Sequence, residues 1–141
     1  MKAYVSQNLY QQGQLAPGCL FVDAGKIVDL VATVPEGFTG PVEDFGQQYL
    51  LPGIVDTHVH INEPGRTEWE GFTTATQAAA AGGITTVVDM PLNCIPVTTS
   101  AAALAAKLET VRGQLWTDVG FWGGVTAENF ANLDELLDSG I

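Results

Sequence analysis

Basic residues are scarce in this chain: 5 Lys and Arg stand against 16 Asp and Glu in 141 residues, a formal net charge of −11. A surface of that sign repels phosphate backbones and anionic headgroups, which weighs against nucleic acid and membrane surfaces as partners. Cysteine is scarcer still. Cys19 and Cys94 lie far apart with no Cys-x-x-Cys pairing, a usage that rules against a disulfide framework and fits reduced thiols. No stretch approaches the about 20 apolar residues of a membrane span, and the first residues, Met1-Lys2-Ala3-Tyr4-Val5-Ser6, lack the apolar core of a secretory signal. A soluble, cytoplasmic protein is expected. Histidine is limited to two residues, and both fall within three positions of each other.

That pair closes the stretch Leu51-Pro52-Gly53-Ile54-Val55-Asp56-Thr57-His58-Val59-His60. Ile54, Val55 and Val59 favour a strand, and Pro52-Gly53 punctuates its start. Side chains alternate along a strand, so His58 and His60 point the same way and can close on one ion. Neutral imidazole is the commonest metal ligand, and Zn–N bonds of about 2.0–2.1 Å require such same-face delivery. Asp56 extends the pattern to Asp-x-His-x-His. Two roles stand open for it: a group behind or between metal ligands, or a strand carboxylate bonded to nearby amides.

Two regimes follow each other along the chain. Residues 1–50 read as short strands separated by turns, with a hairpin formed by Gly18–Asp23 and Ile27–Val31 around Ala24-Gly25-Lys26. From Leu51 onward, strands alternate with helices. Ile54–His58 is predicted as a strand; Thr67 and Glu70 then read as a capping box opening an alanine-rich helix that ends at Gly82-Gly83. Ile84–Asp89 is apolar and β-branched, as buried parallel strands are. Leu104, Leu108, Val111 and Leu115 recur at helical spacing after Ser100, Val119–Trp122 forms a third strand, and Phe130, Leu133 and Leu137 mark a third helix. Such alternation means βα units on a parallel sheet. A doubly wound dinucleotide fold shares it, but the Gly-x-Gly-x-x-Gly turn after the first strand is missing. The expected fold is α/β: an incomplete (β/α)8 (TIM) barrel of about three units, its catalytic groups at the C-terminal strand ends.

The run His58-Val59-His60, Asn62-Glu63-Pro64-Gly65-Arg66-Thr67-Glu68-Trp69-Glu70-Gly71, Ala79–Thr86 and Asp89-Met90-Pro91-Leu92-Asn93 resembles the cyclic amidohydrolases, the allantoinase branch most closely. The resemblance implies that residues 1–50 are the N-terminal part of a small β-sandwich domain and that 51–141 are the first portion of the barrel. It implies a homo-oligomeric hydrolase that opens a cyclic amide C–N bond, with allantoin as small-molecule substrate and allantoate as product. His58 and His60 are then metal ligands, in a centre of two divalent ions, zinc by family habit, bridged by a carbamylated lysine.

Dihydroorotases of that family carry an arginine two positions after the second histidine, where it clamps a carboxylate. Here the position is Asn62, which suits an uncharged ureido ring; Asn62 also reads simply as a turn residue. Asn93 corresponds to a substrate-contacting asparagine, although Leu92 interrupts the usual spacing. Arg66 either faces the substrate or pairs with Glu63 or Glu68, and surface pairing is the default expectation. The family's bridging lysine, later histidines and aspartate base find no counterpart, since Lys2 and Lys26 precede the barrel and Lys107 lies within a helix. A truncated chain, inactive alone, is therefore expected. Dihydropyrimidinase, hydantoinase or dihydroorotase activity is the alternative within the fold, and a non-catalytic interaction protein on the same barrel is the alternative outside enzymology.

Overall fold

A computed structural model describes residues 1–141. The chain divides into two compact units, Met1–Pro52 and Gly53–Ile141, and no helix in either is long and apolar enough to cross a membrane.

The first unit is a five-stranded sheet built on β1 (Lys2–Gln11), β2 (Gln14–Asp23), β3 (Lys26–Val31), β4 (Val42–Asp44) and β5 (Tyr49–Leu50). Its order is β3-β2-β1-β4, with β5 also paired to β1. The predicted hairpin is the β2–β3 pair, and its turn holds Ala24 and Gly25 at φ 46° and 76°. Strand β1 is not evident from the sequence because polar Ser6, Gln7 and Asn8 interrupt its apolar alternation; it meets β2 in antiparallel register, Lys2 opposite Val22. Ala3, Cys19 and Phe21 form the core, with Phe38 set edge-on to Phe21 at 5.0 Å between ring centroids.

The second unit is a parallel sheet, β6 (Ile54–Val59), β7 (Ile84–Asp89) and β8 (Asp118–Phe121), in that spatial order. Helix α1 (Phe72–Ala81) joins β6 to β7, α2 (Ala101–Val111) joins β7 to β8, and a 3-10 turn leads into α3 (Leu133–Asp138). The βα alternation inferred from the sequence is thus present. Register places Val59 beside Asp89 and Asp89 beside Phe121, a row facing the helices. Ile61, Phe72 of α1 and Val111 of α2 form the buried core there, with Val59, Val119 and Phe121 packed against it.

Three local expectations need correction. No Thr67–Glu70 capping box opens α1: the helix starts later, with Gly71 as N-cap and no side-chain bond from it. Phe72 N instead donates to Glu63 Oε2 at 2.8 Å, so a buried carboxylate nine residues upstream does the capping, and Glu70 bonds Thr74 Oγ1. On α2, Leu108 is exposed and Leu115 lies beyond the helix end; the buried stripe is Ala103, Leu104, Lys107 and Val111. Its predicted start is correct, with Ser100 Oγ accepting from Ala103 N at 3.2 Å. On α3, Leu136 is buried whereas Leu137 and, before it, Phe130 are exposed.

Candidate metal centre

The two imidazoles converge at the C-terminal end of β6. Strand alternation turns His58 to the face opposite Val59 and hence away from the helices. His60 lies one residue past the strand end, yet its Nε2 stands 3.2 Å from His58 Nε2. Two nitrogens at about 2.0–2.1 Å from one tetrahedral ion are about 3.3–3.4 Å apart. The observed separation matches that of two ligands on a shared ion. It equally suits an N–H···N bond between neutral tautomers, so the spacing carries the argument only together with the residue types and their place on the sheet. Both rings are exposed, and no third His, Cys, Asp or Glu joins them.

Asp56 takes the backbone role of the two left open. Its Oδ1 accepts from His58 N at 3.1 Å, so it steadies the strand beneath His58 rather than bonding either ring.

The segment after His60 is held tightly. Asn62 is buried; its N–H donates to Glu70 O at 3.0 Å and its carbonyl accepts from Arg66 N at 2.9 Å. These backbone bonds make Asn62 a loop closer. Arg66 forms neither expected carboxylate pair: its guanidinium lies 5.4 Å from the Trp69 ring centre, a cation–π stack on an exposed indole. Asn93 follows the end of β7 with φ 71°, a left-handed conformation that asparagine tolerates. The loops that bear Asn62 and Asn93 are joined by Ile95 N donating to Pro64 O at 2.8 Å.

Sequence reasoning missed the pair behind the site. Asp89 and Lys107 are fully buried, Lys107 Nζ lying 2.6 Å from Asp89 Oδ2. The other carboxylate oxygen, Oδ1, accepts from Ile61 N at 2.8 Å. Burial pushes the Asp89 carboxyl above its usual range, against the opposing pull of Lys107 and the Ile61 amide. The available signal was a lysine three and four positions from Leu104 and Ala103, on the apolar stripe of an alanine-rich helix. Trp122, at the end of β8, adds a brace by donating from Nε1 to Thr57 O at 2.9 Å.

Residues 49–141 match the model of the amidohydrolase family. An allantoinase of Streptomyces avermitilis is 52% identical over 128 residues, covering 89% of this chain and 28% of that protein. One of Saccharomyces cerevisiae is 60% identical over 92 residues, covering 65% of this chain and 20% of the yeast protein. Among solved structures, the L-hydantoinase (dihydropyrimidinase) of Arthrobacter aurescens superposes with a TM-score of 0.83 at 26% identity, over 96% of this chain and 31% of that one. The chain thus spans less than a third of the length of each of these relatives.

Proposed function

This chain belongs to the amidohydrolase family, and from that premise we propose that the whole protein opens the ring of allantoin by hydrolysis to give allantoate. The observation that carries the reading is the 3.2 Å approach of His58 Nε2 to His60 Nε2 at the C-terminal end of a parallel strand. In barrels built of βα units that end bears the catalytic groups. We read residues 51–141 as part of such a (β/α)8 barrel and 1–50 as part of a flanking β-sandwich, close to the division of the chain at Pro52.

His58 and His60 would hold one divalent ion, zinc in our reading, which when bound acidifies water and polarises a carbonyl oxygen. The chain's own residues supply the placement. Asp56 holds the His58 amide, and Asn62 and Asn93 stand on the two loops that leave the strand ends beside the imidazoles. A side-chain amide offers both donor and acceptor and carries no charge. That complements an uncharged ring with a ureido substituent and gives no clamp for a carboxylate, for which a guanidinium is suited. The allantoinases among the relatives support the same choice of substrate. Hydantoin hydrolysis is the second reading, favoured by the fold match to the Arthrobacter enzyme.

Steady-state kinetics on the whole protein test this. The expected order of kcat/KM is allantoin first, hydantoin next and dihydroorotate last. Faster turnover of dihydroorotate would overturn the substrate assignment. Replacement of His58 or His60 by alanine is expected to remove one metal equivalent and abolish turnover; full metal content with near-normal rates in either variant would overturn the metal assignment.

A further inference from the structure

Beyond the end of β6 the regular strand pairing stops, yet His60 must still meet His58 to within a few tenths of an ångström. Its backbone is fixed from both sides by one dipeptide. Val59 O accepts from Met90 N at 2.8 Å, which anchors the peptide plane before His60. Ile61 N donates to Asp89 Oδ1 at 2.8 Å, which anchors the plane after it. Because each peptide unit is rigid, holding the two planes fixes both backbone dihedrals of His60 and so the direction of its Cα–Cβ bond. The first anchor is backbone to backbone and needs only an N–H at position 90, which every residue but proline supplies. The second depends on the Asp89 side chain, whose carboxylate serves Ile61 and Lys107 at once. Asp89 has its second oxygen 2.6 Å from Lys107 Nζ, and Lys107 lies 5.8 Å from the centre of the Phe121 ring. Asp89, Lys107 and Phe121 lie on the helix side of the sheet, so the pair does not share the face of the imidazoles.

We propose that the buried Lys107–Asp89 pair is a positioning device for the metal centre, acting through the Ile61 amide to set the orientation of His60. It rests on the reading of His58 and His60 as metal ligands. A buried ion pair adds little net stability over an apolar pair of similar volume. A geometric task for the carboxylate gives this one a reason to exist. Groups behind a metal ligand characteristically change metal affinity by about 10- to 100-fold when altered.

The test is titration of the metal-stripped whole protein with Co2+, followed by its visible absorption, with circular dichroism and a thermal melt as controls for folding. Lys107→Met leaves the carboxylate without its cation; Asp89→Asn keeps an acceptor for Ile61 but turns an amide N–H towards Lys107. Either variant, once folded, is expected to bind Co2+ about 10-fold or more weakly, with an altered absorption envelope. A purely structural role predicts a lower melting temperature with unchanged affinity and spectrum, and that result would overturn the proposal. His60→Ala separates the two levels. If it binds Co2+ as the parent does, the metal reading itself fails; if it loses binding while folded Lys107→Met keeps it, only the positioning role fails. Should both pair variants fail to fold, the unaltered protein decides. Exchange of the Ile61 amide proton, followed by NMR with labelled isoleucine, is expected to slow at saturating zinc, since coupling between ligand and anchor is reciprocal. An exchange rate indifferent to zinc would overturn it.

Discussion

Thr76 illustrates how much a single side chain inside this sheet-and-helix unit is asked to do. Fully buried on α1, it donates to Phe72 O at 2.6 Å and accepts from Trp116 N at 3.2 Å, joining the helix to the approach to β8. Thr76→Val keeps the shape and removes both bonds, stranding the Trp116 amide; the expected cost is about 1–3 kcal/mol by urea denaturation. Thr76→Ser keeps the hydroxyl and is expected to lose less. The two cysteines make the complementary case of groups that are present but silent. Cys19 and Cys94 are buried free thiols, and burial pushes the Cys19 thiol above its ordinary pKa. Alkylation depends on exposed thiolate, so native protein at neutral pH is expected to take up no iodoacetamide at either position and to label at both once unfolded. Mass spectrometry reads the difference directly.

At the scale of elements, the cap of α1 gives the sharpest contrast between sequence and structure. Thr67 and Glu70 have the right spacing for a capping box, but spacing alone does not say where the helix begins. The chain turns through Arg66–Trp69 first, and the orphan N–H of Phe72 is met by Glu63 from across that loop. A negative carboxylate there also faces the positive end of the helix dipole. Glu63→Ala is therefore expected to destabilise by about 1–2 kcal/mol, whereas Thr67→Ala stays within about 0.5 kcal/mol, as measured by thermal or urea unfolding. Similar values for both would contradict the capping assignment. The βα order, the start of α2 at Ser100 and the convergence of His58 with His60 were legible in the sequence because each depends on local periodicity or a local cap. The Glu63 cap, the Asp89–Lys107 pair and the Trp122 brace to Thr57 join residues 9, 18 and 65 positions apart. No window of a single element contains them. Lys107 is hidden for a further reason: the aliphatic series Leu104, Leu108, Val111 and Leu115 runs the stripe through Leu108, the exposed neighbour of the buried lysine.

For the molecule as a whole, the parallel sheet has β6 and β8 as its edge strands, each paired on one side only. Beside these edges Ile54, Val55, Trp116 and Trp122 are exposed, and open edges with apolar neighbours recruit other chains. The net charge of −11 opposes that association. Salt weakens the repulsion, shortening its range from about 10 Å at 0.1 M to about 3 Å at 1 M, while it leaves apolar burial intact. The 141-residue chain alone is therefore expected to run at smaller apparent size in low salt and to form larger species as salt rises, by size exclusion with light scattering. Dissociation on adding salt would show that charge pairs, not strand edges, govern its assembly. The loops bearing Asn62 and Asn93 are bonded through Pro64 and Ile95, and at Gly65 a methyl group would come within 2.6 Å of Ile95. The two loops are thus one heritable module. A lineage or a mutant library that alters either alone meets the constraint set by the other, so changes in these loops are most readily accommodated in pairs drawn from both.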